Sequence, residues 1–184
     1  MNITKIGEKA FINCTSLALT SLPEGITEIE WDAFFGCSKL VLTSLPESLT
    51  SIDSGAFYGC TSLALTSLPS GLTGGIGHET FMHCTKLALT SLPKGITSIG
   101  GARAFYGCTS LTSLTFTGEL TSVGINTFQG CTNLKTFIIN GLSDTTRNLL
   151  EAAAPNTDTK IIQDSHTWTY NTTSKAWEDT STTT

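Results

Sequence analysis

Ser51-Ile52-Asp53-Ser54-Gly55-Ala56-Phe57-Tyr58-Gly59-Cys60-Thr61-Ser62-Leu63 decides the fold, because its pattern returns around every cysteine of the chain. The cysteines stand at Cys14, Cys37, Cys60, Cys84, Cys108 and Cys131, at intervals of 23, 23, 24, 24 and 23 residues. Three residues before each lies a phenylalanine (Phe11, Phe34, Phe57, Phe81, Phe105, Phe128), and three after it a leucine (Leu17, Leu40, Leu63, Leu87, Leu111, Leu134). Apolar positions recur eight after the cysteine (Leu22, Leu45, Leu68, Leu92, Phe116, Ile139) and about fifteen after it (Ile29, Ile52, Ile76, Ile99, Val123). The longer intervals hold single insertions, one around Gly74-Gly75 and one between Ile99 and Phe105.

A period of 20–29 residues with leucines at fixed offsets is the signature of a leucine-rich-repeat solenoid. One repeat cannot bury its apolar face alone, so stacked coils share a continuous core. The expected coil has a short parallel β-strand on the concave face, a turn at Leu-Pro, and a single 3₁₀ or helical turn on the convex face. That last segment, as in residues 52–60, is too short and too rich in glycine for a full helix.

The quoted stretch also resembles the BspA-like leucine-rich-repeat family, whose repeat reads roughly Ile-Gly-x-x-Ala-Phe-x-x-Cys-x-x-Leu followed by a strand and Pro. The resemblance runs from Ile3 to about Ile139. It implies a surface or secreted protein, extracellular or at the cell surface, that binds rather than catalyses. The N-terminus, Met1-Asn2-Ile3-Thr4-Lys5-Ile6, does not read as a signal peptide.

The strand segments fall into two kinds. Leu111-Thr112-Ser113-Leu114-Thr115-Phe116 has the usual Leu-x-x-Leu-x-Leu spacing, whereas earlier repeats read Leu-Ala-Leu-Thr-Ser-Leu-Pro, with the middle leucine moved one place. A one-residue slip exchanges inward and outward side chains. Burying a leucine contributes about 1.5–3 kcal/mol and burying an unpaired hydroxyl costs about 1–3 kcal/mol. Energetics therefore favour Leu19, Leu42, Leu65 and Leu89 inside. The candidate concave binding face is then Ala18, Thr20, Val41, Thr43, Ala64, Thr66, Ala88, Thr90, Thr112 and Lys135. A second candidate, on the convex side two before each cysteine, is Phe35, Tyr58, Met82 and Tyr106.

The chain begins inside a repeat, and Ile3, Ile6 and Phe11 mark an N-terminal edge without a polar cap, a candidate surface for self-association. Residues 1–141 are expected to form the solenoid, 142–178 a C-terminal cap of helix, strand and β-hairpin, and 179–184 a flexible tail. Ser143 is placed to N-cap the helix and Pro155 to stop it. Trp168 and Trp177 are expected to pack over the last coil.

With 184 residues, 14% charged and a net charge of −5, the chain offers no basic stripe for nucleic acid. No apolar run is long enough to span a membrane. Seven acids against three bases lie within residues 1–60, which reads as a solvated rim. The cysteine ladder does not favour disulfides, since neighbouring coils hold equivalent Cβ atoms about 4.7–4.9 Å apart rather than the 3.5–4.5 Å a bridge needs. No Cys pair has zinc spacing, so neither a metal nor any other cofactor is expected. His78 and His83 miss the H-E-x-x-H spacing by one residue, and the three histidines suggest no triad. Asn2, Asn13 and Asn171 stand in N-x-Thr sequons. The functional expectation is a non-enzymatic module for protein interaction or adhesion, binding a protein or glycan surface. The alternative is a structural protomer that self-associates through its N-terminal edge.

Overall fold

The computed structural model describes residues 3–181; Asn2 and residues 182–184 of the expected tail lie outside them. Apolar ladders build the fold by stacking coil on coil. Phe11, Phe34, Phe57, Phe81, Phe105 and Phe128 form a column of parallel rings, with centroids 5.2–5.6 Å apart and planes within 8°. The leucines at the other fixed offsets fill the same core, which runs without a break to Leu150 and Ile161.

Strands form on two sides of the stack. On one side lie β1 (Lys5–Ile6), β2 (Glu28–Ile29) and β3 (Ser51–Ile52), paired in parallel, followed by β4 (Gly74–Ile76), β6 (Ile96–Ile99) and β8 (Ser122–Val123). This ladder was not expected from the sequence. It follows the isoleucines about fifteen after each cysteine, which point inward and draw their neighbours into pairing. The Gly74-Gly75 insertion is absorbed as a register shift between β4 and β6. On the other side, the face expected to be concave, β5 (Ser91–Leu92), β7 (Ser113–Phe116), β9 (Thr136–Ile138) and β10 (Lys160–Gln163) run parallel, and β11 (His166–Asn171) and β12 (Ala176–Asp179) extend the sheet as an antiparallel hairpin.

Among the described residues, strands on this second side are present only from the fourth cysteine onward, whereas the repeat predicts one in every coil. The displaced leucine is the reason. Leu42 and Leu45 are buried, but both residues between them, Thr43 and Ser44, face solvent, so the two-residue alternation a strand needs is broken. Coils one to three are joined here by isolated bonds, from Val41 N–H to Leu19 O and from Ala64 N–H to Leu42 O, each 3.1 Å. Leu65 and Leu89 are buried like Leu42, while Thr66 and Thr90 are exposed. Leu19, in the first coil, is half-buried.

The turn segment closes through i→i+3 bonds, such as Cys60 N–H to Phe57 O at 3.1 Å, but it does not wind as a helix. The residues five and one before every cysteine have φ between +53° and +77°. This left-handed geometry reverses the chain every fourth residue and aims intervening N–H groups at the next coil. Phe34 N–H reaches Ala56 O and Phe57 N–H reaches Thr80 O, both at 2.9 Å.

Helix α1 (Asp144–Ala153) replaces the turn segment in the last coil. Ser143 Oγ accepts from Thr146 N–H at 3.4 Å. Glu119 holds this cap, accepting from Ser143 N–H and Oγ–H at 2.7 Å and from Thr146 Oγ–H at 2.6 Å. These hydroxyls, Thr146 foremost, hold the Glu119 carboxyl below the usual carboxylate range. Trp168 and Trp177 pack against the core, with the Arg147 guanidinium 4.0 Å over the Trp168 ring. β12 runs to Asp179, and Thr180 N–H donates to Thr167 O at 2.8 Å. The boundary expected at residue 178 therefore falls inside a hydrogen-bonded strand.

Candidate functional site

The cysteine column belongs to the scaffold. Each thiol from Cys37 onward donates to the carbonyl of the phenylalanine in the preceding coil, as Cys37 Sγ to Phe11 O at 3.0 Å and Cys60 Sγ to Phe34 O at 3.1 Å. Burial pushes Cys37 up to about 11 and Cys131 to about 12, and raises Cys60, Cys84 and Cys108 further. Protonated thiols of this kind are poor nucleophiles and poor metal ligands. Cys14, in the first coil, is exposed.

On the sheet side, Ala18, Thr20, Val41, Thr43, Thr66, Thr90, Thr112 and Lys135 are exposed, and Ala64 and Ala88 are half-buried. The coil spacing therefore brings these candidate residues into rows. Thr90 Oγ–H donates to Thr66 O at 3.4 Å. Lys135 is engaged with Asp158, Nζ to Oδ2 2.7 Å, so its charge on this face is offset within the chain.

On the turn side, Phe35, Tyr58, Met82 and Tyr106 are all half-buried. Phe35 and Tyr58 stack, 4.3 Å between centroids and 7° between planes. His83 sits edge-on to Tyr58 at 6.0 Å and to Tyr106 at 5.4 Å, completing the stripe. The sequence reading missed it, although it stands in a column otherwise held by glycine and Asn13. His78 has other partners: its Nδ1 accepts from Ala102 N–H at 3.1 Å.

Ile3 is 68% exposed, and Ile6 and Phe11 are half-buried. With Leu19, Leu22, Pro23 and Ile26 they line an apolar cavity of about 450 Å³. A smaller cleft of about 410 Å³, on the turn side, is lined by Trp31, Asp53, Ser54 and His78. Nothing in the linear sequence marked that grouping, because its members lie in three different coils. The available signal was a tryptophan in a column otherwise small, polar or aliphatic (Glu8, Ser54, His78, Ala102, Ile125).

In the cap, Asp179 contacts both Ser181 and His166 Nδ1. Those bonds, Ser181 first, hold its carboxyl down to about 2. The hydroxyl donates to the carboxylate, and both meet the same imidazole nitrogen, an arrangement that does not prepare the serine for attack.

Stacked coils, repeated ladders and hairpin cap define a leucine-rich-repeat solenoid. The model of the BspA type leucine rich repeat region matches residues 1–100 and 74–172 in six copies, and the chain belongs to that family. Among solved structures it is similar to a leucine-rich-repeat protein of T. pallidum, with 29% identity and a TM-score of 0.66 over 83% of this chain and 77% of that one. It is also similar to a leucine rich cell surface protein of Faecalibacterium prausnitzii, with 28% identity and a TM-score of 0.65 over 95% of this chain and 42% of that one. No curated protein matches it. Among the described residues, no helix is long and apolar enough to cross a membrane.

Proposed function

We propose that this chain is a non-enzymatic recognition module of a cell-surface or extracellular protein, binding a protein or glycan surface through the outer faces of its coils. The observation that carries the reading is the row formed by Thr20, Val41, Thr43, Thr66 and Thr90, all exposed above leucines that are buried from Leu42 onward. A rigid row of short side chains lies flat against a partner and loses little rotamer entropy on contact. Membership in a family with a cell-surface neighbour supports the same reading. The test is adhesion of the chain to immobilised matrix proteins and glycans, with Thr43→Glu/Thr66→Glu/Thr90→Glu beside the wild type. Saturable binding that the triple variant loses is expected. No binding, or equal binding by both, overturns it.

A second reading rests on the apolar cavity at Ile3, Ile6 and Phe11. An edge of that kind pairs with another copy to form dimers or longer assemblies. Sedimentation over a concentration series tests it, and a strict monomer at the highest concentration overturns it.

A further inference from the structure

The cleft across the Cys37, Cys60 and Cys84 coils is walled by Trp31, Asp53, Ser54 and His78 and has a volume of about 410 Å³, within the range of small-ligand sites. Trp31 is 53% exposed, whereas Trp168 and Trp177 pack on the core. The polar groups beside it are open. The Asp53 carboxylate makes no hydrogen bond or ion pair among the described residues. Ser54 Oγ accepts from His78 N–H at 3.1 Å, which leaves its own hydrogen to donate. His78 accepts at Nδ1 from Ala102 N–H, so its proton is on Nε2. That N–H lies 3.5 Å from Glu79 Oε1, long enough to yield to a closer acceptor.

An exposed indole, one carboxylate acceptor and two donors complement a ring with an apolar C–H face and adjacent hydroxyls at its edge. The charges select among ligands. Lys9 Nζ, paired with Glu8 at 2.9 Å, stands 5.0 Å from the Trp31 ring centroid and is not part of the cleft wall. A cationic ligand would compete with Lys9 for the ring's quadrupole. The Asp53 carboxylate in the cleft wall disfavours an anionic one. We propose that Trp31, Asp53, Ser54 and His78 form a subsite for a neutral pyranose, its C–H face on Trp31 and neighbouring hydroxyls on Asp53 and His78. The subsite rests on the recognition reading and gives it a ligand class.

The test uses ¹H–¹⁵N spectra of the full chain, titrated with the methyl pyranosides of glucose, galactose, mannose and N-acetylglucosamine. The chain has three tryptophans, and Trp31→Phe identifies the indole signal of Trp31. A saturable shift of that signal with at least one sugar is expected, with a millimolar dissociation constant. Trp31→Ala abolishes sugar binding, and Asp53→Ala weakens it about tenfold or more. Unchanged Trp168 and Trp177 signals show that these variants keep the fold. No saturable shift with any sugar, binding that survives Trp31→Ala, or a response only to the cationic probe N-acetyl-lysine methylamide overturns the subsite. Sugar failure together with wild-type adhesion to protein-coated surfaces refutes the subsite alone. Absence of all adhesion refutes the reading beneath it.

Discussion

Removing one ring from the phenylalanine column tests whether the stack is held by its neighbours. Phe81 is fully buried between Phe57 at 5.6 Å and Phe105 at 5.5 Å. Phe11 is half-buried and stacks on one ring, Phe34, at 5.2 Å. Phe81→Ala deletes the same atoms as Phe11→Ala but leaves a cavity closed on both sides, so its expected cost is about 3–5 kcal/mol. With one ring contact and half the burial, Phe11→Ala is expected to cost about 1–2 kcal/mol. For a chain of this length each kcal/mol lowers the Tm by roughly 2–4 °C. Phe81→Ala should therefore melt roughly 10 °C below the wild type and Phe11→Ala only a few degrees below it. Thermal unfolding followed by fluorescence reads both ends, because Trp31 lies in the second coil and Trp168 and Trp177 in the cap. In a one-dimensional stack a weakened internal coil uncouples its flanks, so Trp31 in Phe81→Ala should report an earlier transition than the cap. A Phe81→Ala variant no less stable than Phe11→Ala would refute the nearest-neighbour account of the core.

Thiol titration of the native chain should show one fast equivalent, from exposed Cys14, and five more only on unfolding, since the others are buried and their pKa values raised; two or more fast equivalents would contradict the column. The Asp179 carboxyl, held down to about 2, stabilises the hairpin fully above its unfolded value of about 3.9 and loses that contribution as pH falls toward 2. Asp179→Asn should lower stability at neutral pH and flatten the acid limb between about pH 4 and 2, read by tryptophan fluorescence; an unchanged acid limb counts against the assignment. A Cβ on Gly124 would overlap the carbonyl oxygen of Gly101, so Gly124→Ala must displace main chain. A loss of about 2–3 kcal/mol is expected from denaturant titration, and a neutral substitution would show that the coils are not in such close contact.

The sequence revealed the repeat, the core ladders and the helix cap because each depends on one residue type at a fixed offset. The inward leucines were legible on energetic grounds alone, and Leu42, Leu65 and Leu89 are buried as that argument required. The left-handed turns were not legible, because Lys9, Asp32, Glu79 and Arg103 adopt positive φ without being glycine. Main-chain bonds to the next coil impose that conformation against local preference. The second ladder was hidden for a related reason: Glu28-Ile29 and Ser51-Ile52 are too short to signal a strand and pair only once stacked. Among the candidate sites, the rows two before and four or six after a cysteine follow from spacing alone. The Trp31 cleft does not, because its members come together only when coils are laid side by side.

The late start of the sheet has a consequence for synthesis. A chain made from its N-terminus releases first the coils joined on that side by isolated bonds, and only after Ser91 the strands that pair continuously and end in the hairpin. Nascent coils one to three thus leave the ribosome held to one another by the phenylalanine column and by β1–β3 on the opposite side, and the sheet on this side forms only when the later strands follow. Along this solenoid the core and one ladder grow coil by coil with the chain, and the second sheet is added last.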